Sequence, residues 1–361
     1  MILSAVTLHG SLRRLGVDAI LFNSSEILPS VNLRHVSGFT GSDGAVLITE
    51  RERHLFTDGR YDIQARNEAP GFRLHVVRRR LDALARTVKA ARVSKLGIEA
   101  PRVSHEFTAG LARRLPDVRL VSLPRSFLDG LRLRKTSDEK AKIERAARCA
   151  SEACGRLLDG GLSGRVEKDV AAELEAMFRR CGADGPGFET IVASGYRGAL
   201  PHGAASDKVI GAGELVVVDY GCVIDGYNSD ETVTCVTGVA TSEQRKIHRA
   251  VYDAHMRAIN ALRLGMRVRD VDRIARDSIA AAGFGKYFVH GLGHGVGLEV
   301  HEPPSLSPLG KGVIEEGMVF TIEPGIYIEG FGGVRLESLV YMDRTGPELL
   351  SRMPKDLIVV E

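Results

Sequence analysis

ELVVVDYGCVIDGYNSDETVTCV, residues 214–236, reads as two strands rich in β-branched residues joined by Asp225-Gly226, the dipeptide that most strongly signals a two-residue hairpin turn. With that pair as the turn, Ile224 opposes Tyr227, Gly221 opposes Asp230 and Asp219 opposes Thr232. Asp219 and Asp230 then share one face as diagonal neighbours, roughly 7 Å apart between backbones, so their carboxylates can converge. Asp219 also ends the apolar run at 216–218, where a charge without a partner is costly. Taken singly, either aspartate reads better as a structural residue capping a turn.

A second unit of the same kind lies at residues 318–342, MVFTIEPGIYIEGFGGVRLESLVYM, again strand, glycine-rich turn, strand. For a turn centred on Gly330 or Phe331, Glu323 and Glu337 fall on one face, and each is embedded in apolar sequence. Helical patterns at 242–263 and 268–282 separate the two units, which suggests an internally duplicated architecture. Should the two faces meet, four carboxylates share a small space, and like charges so close stay ionised only if cations are present. Two divalent ions supply four charges. With one histidine added, the donor set is mainly hard oxygen and favours Mn²⁺, Co²⁺ or Zn²⁺.

Candidate histidines lie in two stretches. HGLGHGVGLEVHE at 290–302 carries His290, His294 and His301 among glycines, a composition that lets backbone and ligand approach closely. It matches neither the HExxH zinc motif, since Ser305 stands where the second histidine belongs, nor a dinucleotide loop, since Val296 replaces a glycine. GYRGALPHGAASDKVI at 195–210 carries His202 in a small-residue loop, where a histidine is ordinarily just solvated.

The chain of 361 residues is 44% hydrophobic, enough for two domains with sizeable cores. Its net charge of +3, with basic residues scattered, lacks the footprint of a nucleic-acid binder. Five cysteines without a CxxC pair argue against a disulfide framework or a thiolate zinc site and read as reduced thiols. The start MILSAVTLHGSLRRLGV has no basic residue ahead of a long apolar run, and no segment reaches the roughly 18 apolar residues of a membrane span. The expectation is a cytoplasmic protein without membrane or nucleic-acid partners.

In chain order, residues 5–125 alternate short strands with helical patterns at 60–69, 80–92 and 104–115, a mixed α/β domain. GFTGSDG at 38–44 and TDGRY at 57–61 are turn segments, although Gly-Ser-Asp-Gly is also a shape that cradles an anion. DGLRLRKTS at 129–137 marks the boundary, giving domains at 1–130 and 131–361. Ser137 is the expected cap of a helix at 138–158, followed by a helix at 166–180 and a strand ETIVAS at 189–194. The fold class is α/β (α+β).

These residues resemble the pita-bread metallopeptidases, the group containing aminopeptidase P, prolidase and methionine aminopeptidase. GFTGSDG and TDGRY resemble the N-terminal domain of the aminopeptidase P and creatinase branch, a domain that methionine aminopeptidases lack. The resemblance implies that Asp219 chelates a first metal, that Asp230 and Glu337 bridge two metals, and that His294 and Glu323 complete the second. It implies further that His202 and His301 hold the scissile peptide, that Glu323 also accepts and returns a proton, and that His290 and Arg335 line the substrate pocket, Arg335 either supporting the ligands or touching substrate. The implied activity is hydrolysis of the bond before proline in short peptides by a homodimer with two divalent ions per chain, Mn²⁺ first. Departures are Val233 and Ser338 where the family has an arginine and an acid, both expected to point away from the site, with Thr232 left to orient Asp219. Prolidases often carry an arginine at the position of Ser305, so an Xaa-Pro aminopeptidase is the first expectation and an Xaa-Pro dipeptidase the alternative. A creatinase-like metal-free hydrolase or a non-catalytic peptide-binding protein would be expected to lack part of the ligand set present here.

Overall fold

The computed structural model describes residues 5–361, with side chains from Gly10 onward. The chain divides into two compact units, Met1–Arg132 and Leu133–Glu361.

In the first unit one mixed six-stranded sheet runs in the order Arg73–Val76, Arg53–Thr57, Gly44–Thr49, Ala19–Ser24, Lys95–Ile98, Arg119–Ser122. Strand alternation sorts its side chains into two cores: Ile20, Phe22, Val46 and Ile48 on one face, Ala19, Leu21, Ala45 and Leu47 on the other. Helices Arg80–Ala90 and His105–Arg114 close the second face through Leu84, Val88 and Leu111. With both faces covered, the central strands read as unbroken apolar runs. The helix Val31–Ser37 escaped the sequence reading, because seven residues with two buried apolar side chains show no helical period. Its ends were nevertheless written locally: Ser30 accepts from Leu33 N at the start, and Gly38, at φ 79°, closes it. The strand Arg119–Ser122 and helix Arg125–Gly130 were missed for the same reason of length. In the GFTGSDG segment Asp43 pairs with Arg80, so this turn presents a carboxylate to a cation and is no anion cradle.

The second unit repeats one plan twice. Helices Ser137–Asp159 and Glu167–Arg180 pack on the sheet Ile358–Val360, Glu231–Thr237, Leu215–Tyr220, Ile191–Ser194. Helices Ser242–Ala261 and Val268–Ala281 pack on the sheet Glu302–Leu306, Gly293–Gly295, Val319–Ile322, Ser338–Asp343, Gly346–Leu349. Both long helices open with a reciprocal capping box, Thr136 with Glu139 and Thr241 with Gln244. The cap is therefore Thr136 rather than Ser137: a capping box needs Glu or Gln three residues on, and Ser137 has Lys140 there. The strand at 189–194 is shorter than read, Ile191–Ser194. All five cysteines are free, four of them buried. Among the described residues no helix is long and apolar enough to cross a membrane.

Candidate active site and metal centre

The first hairpin has the expected register. Asp219 pairs with Thr232 and Ile224 with Tyr227. Asp225 and Gly226 sit at φ 51° and 75°, the positive angles that a type I′ turn requires. The back of the outgoing strand is anchored through Glu231, which takes Lys355 Nζ at 2.6 Å and Met353 N at 3.1 Å while its neighbour Asp230 faces forward. This ion pair is 3% and 8% exposed, and removing one partner from such a pair costs about 3–5 kcal/mol. Val233 is fully buried in the apolar core behind the sheet, as alternation predicts.

The second hairpin is interrupted at Glu323–Pro324 and Leu336–Glu337, as the first is at Gly221 and Ser229–Asp230. Val319–Ile322 pairs with Ser338–Asp343, and beyond the break Gly325–Ile328 pairs with Gly332–Arg335. Ile322 faces Ser338 and Gly325 faces Arg335, so Glu323 and Glu337 stand opposite one another at the break. A Cβ on Gly325 would lie 2.5 Å from the Tyr327 hydroxyl, so glycine there lets the tyrosine fold toward the site.

The two hairpins meet along a polar seam and support each other crosswise. Glu337 N donates to Thr232 O at 3.0 Å, and Thr232 Oγ1 donates to Glu337 Oε2 at 2.6 Å. The sequence had Thr232 orienting Asp219, its cross-strand partner. Its hydroxyl instead turns to the other hairpin, and Asp219 takes Arg335 Nη2 at 2.7 Å. Arg335 also donates to Tyr327 Oη at 2.9 Å, Thr232 Oγ1 at 3.2 Å and Pro201 O at 3.0 Å. Because Tyr327 accepts from Arg335, its own proton goes to His290 Nε2 at 2.9 Å, and His290 Nδ1–H donates to Gly291 O at 2.7 Å. Both ring nitrogens of His290 are thus engaged. Tyr327 was missed in the sequence, where the glycine two residues before it was the sole sign.

The remaining histidines behave differently. His294 Nδ1 donates to Gly295 O at 3.2 Å, leaving the Nε2 lone pair facing Glu323 Oε1 at 3.4 Å and Asp230 Oδ2 at 3.6 Å. A lone pair turned toward two carboxylates is an arrangement that calls for a cation. His202 and His301 are exposed at the wall of the same cavity, and the His301 ring stands edge-on to His294 with centroids 4.2 Å apart. The two histidine loops are tied down by different buried acids. Glu167 holds residues 194–206, while Asp272 accepts from Leu292 N and Arg276, whose guanidinium also holds the carbonyls of Phe288 and His290.

The electrostatics agree with a metal centre. Burial, then the charges of Glu337, Asp219 and Glu323, pushes the Asp230 carboxyl far above its ordinary value. Burial followed by Glu337 does the same to Glu323, and burial with Asp219 pushes Glu337 up to about 8. Burial lowers His294 to about 4, keeping its imidazole neutral. Asp230, His294 and Glu337 each offer a ligand atom within 4.8 Å of one another, and Asp219 Oδ1 is buried without a hydrogen-bond partner. Neutral imidazole and carboxylate oxygens suit divalent ions that prefer oxygen and nitrogen donors. The cavity over these groups, about 480 Å³, is lined also by Phe188, Ile191, Ser305 and Ser307. Among the described residues Arg335 is the one Arg or Lys lining it, and four of its five N–H groups already serve the protein.

Comparison with known proteins agrees with this geometry. Residues 141–344 match the model of metallopeptidase family M24, and residues 7–133 match the creatinase/prolidase N-terminal domain. The Xaa-Pro dipeptidase of Pyrococcus horikoshii is 36% identical over 344 residues, covering 95% of each chain. Among solved structures, an Xaa-Pro dipeptidase from Bacillus anthracis superposes with a TM-score of 0.94 at 36% identity, covering 99% of each chain. An X-Pro aminopeptidase from Thermotoga maritima gives 0.91 at 36% identity, covering 97% of this chain and all of the other. With a creatinase-type domain ahead of a pita-bread domain that gathers these ligand-type residues, the chain belongs to metallopeptidase family M24 and is a metal-dependent hydrolase.

Proposed function

We propose that the chain is an Xaa-Pro dipeptidase, cleaving the amide bond between an N-terminal residue and a C-terminal proline. Its whole-length similarity to proteins named Xaa-Pro dipeptidase carries this reading. The sequence alone put the aminopeptidase first because of Ser305; the names of the relatives favour the alternative. One observation keeps the aminopeptidase as the second reading. Among the described residues the cavity has no free arginine or lysine to pair with a terminal carboxylate, since Arg335 is engaged and Arg197 is held by Glu167 and Ala204 O.

Under this reading Asp219, Asp230, Glu337, His294 and Glu323 would hold two divalent ions, Mn²⁺ before Co²⁺ or Zn²⁺. When bound, the ions supply positive charge, lower the pKa of a water and polarise the scissile carbonyl. Glu323 takes the proton of the attacking water on a carboxylate oxygen and returns it to the proline nitrogen as the C–N bond breaks. His202 and His301 donate to the carbonyl oxygen as it gains negative charge. His290 and Arg335 act through Tyr327 and Asp219, holding the ligand in place rather than touching substrate. The test compares kcat/KM for an Xaa-Pro dipeptide, its C-terminal amide and the matching tripeptide. A tenfold preference for the free dipeptide supports the dipeptidase; equal or better cleavage of amide and tripeptide supports the aminopeptidase.

A further inference from the structure

We infer that Glu167, the first residue of the helix Glu167–Arg180, is a positioning residue whose carboxylate sets the place of His202 in the active site. Glu167 is completely buried and belongs to no part of the metal centre. Its Oε1 accepts from Ser194 N and Ser194 Oγ, both at 2.8 Å. Its Oε2 accepts from Arg197 Nε at 3.0 Å, Ser206 N at 3.0 Å and Ser206 Oγ at 2.6 Å. Ser194 ends a strand and Ser206 lies twelve residues on, so one carboxylate staples both ends of the loop that carries His202. Arg197 extends the staple inward by donating to Ala204 O at 2.5 Å, two residues from the histidine. From the other side Arg335 holds Pro201 O at 3.0 Å, and a Cβ on Gly333 would lie 2.0 Å from Gly198 O. His202 is therefore exposed on a loop that has little freedom to move.

A role in closing the core explains this poorly. Burying a carboxylate costs more than burying an apolar side chain of similar volume, and the charge is tolerated because all five donors come from the loop. Burial alone would raise this carboxyl, but the hydrogen bonds of Ser206 and Ser194 outweigh it and hold Glu167 below its ordinary range. What the charge adds is a defined loop geometry, and displacement of a catalytic group by about 1 Å can cost on the order of a hundredfold in rate.

The inference rests on the reading that His202 acts on the substrate, and a double-mutant cycle separates the two. Wild type, Glu167→Gln, His202→Ala and the double variant are loaded with Mn²⁺ and assayed on an Xaa-Pro dipeptide, with metal content and Tm measured for each. Glutamine keeps the shape but turns an N–H₂ toward loop donors. Ser206→Ala removes one staple bond without touching the helix and serves in the same cycle if Glu167→Gln does not fold. Glu167→Gln is expected to lower kcat by about 10- to 100-fold with metal content unchanged and KM little moved. In the His202→Ala background that loss should shrink to threefold or less. Equal losses in both backgrounds, loss of metal, or full activity in folded Glu167→Gln would overturn the inference while leaving the role of His202 intact. Undiminished kcat in His202→Ala would overturn the reading on which it rests.

Discussion

The two hairpins of the catalytic unit present the same chemistry by different means. In the first the strands are interrupted at Gly221 and at Ser229–Asp230 before a two-residue turn, and its aspartates are offset, Asp219 opposite Thr232 and Asp230 beside Glu231 at the strand's start. In the second the strands break at Glu323 and near Leu336, and the two glutamates stand face to face. Support runs crosswise: Arg335 of the second hairpin steadies Asp219 of the first, and Thr232 of the first steadies Glu337 of the second. Neither hairpin is a complete half-site. The difference teaches that a duplicated plan need not give duplicated function, since each copy here presents carboxylates of its own and hydrogen-bonds those of the other.

The harshest way to break the comparison is to remove a carboxylate proposed to serve both halves. Asp230→Asn is expected to lose metal and to lower kcat/KM at least about a thousandfold, the scale of losing a group that acts within a unit. Retention of full metal content and activity would show that the hairpins do not converge on a common centre. Next in size, His202→Ala and His301→Ala should each lower kcat by roughly a hundredfold while metal content stays constant, as for removal of one donor to a developing oxyanion. Loss of metal from either would move that histidine from substrate to ligand.

The seam itself is tested by Arg335→Lys. Lysine cannot reach Asp219, Tyr327, Thr232 and Pro201 O together, so metal affinity and kcat/KM should fall by about 10- to 100-fold, the range for groups that orient metal ligands. Thr232→Val removes the reciprocal contact to Glu337. Were only one of these variants to lower metal affinity, the crosswise support would be one-sided.

The smallest effect concerns stability and leaves the site alone. Counting from Thr136 and Thr241, the caps of the two long helices, His248 and His255 occupy the places that Ile143 and Ala150 hold in the first half. His255 is 1% exposed with neither ring nitrogen partnered, and burial lowers it to about 3; burial lowers His248 to about 4. At pH 7 both are neutral whether folded or unfolded. Below the ordinary value of 6.5 the unfolded chain takes up protons that the folded chain refuses, so stability falls with acid until the folded values are reached. By pH 5 His255 alone should contribute a loss of about 2 kcal/mol. Chemical denaturation of His255→Leu at pH 7 and pH 5 should show that much less dependence on pH; an unchanged dependence would mean the ring is hydrated in the folded state.

Much of the candidate site was legible because its carboxylates sit on local patterns. Asp225-Gly226 demands a type I′ turn, and strand alternation then decides which side chains face forward, so Asp219 and Asp230 could be paired and Val233 dismissed to the core. The long helices were legible for the same reason, their apolar stripes repeating over many turns. Short elements such as Val31–Ser37 offered too few residues for a period to show.

By itself, then, the sequence determined the longer elements, the hairpin turn and the candidate donors, since each depends on contacts within a few residues along the chain. Only the tertiary structure decided how those donors are held. Arg335 meets Asp219 across 116 residues, Thr232 meets Glu337 across 105, and Glu167 gathers Ser194 and Ser206 from 27 and 39 residues away. Nothing in the spacing of residues encodes such pairs, because they arise where two separately formed sheets bury polar groups against each other and each buried donor must find the nearest acceptor.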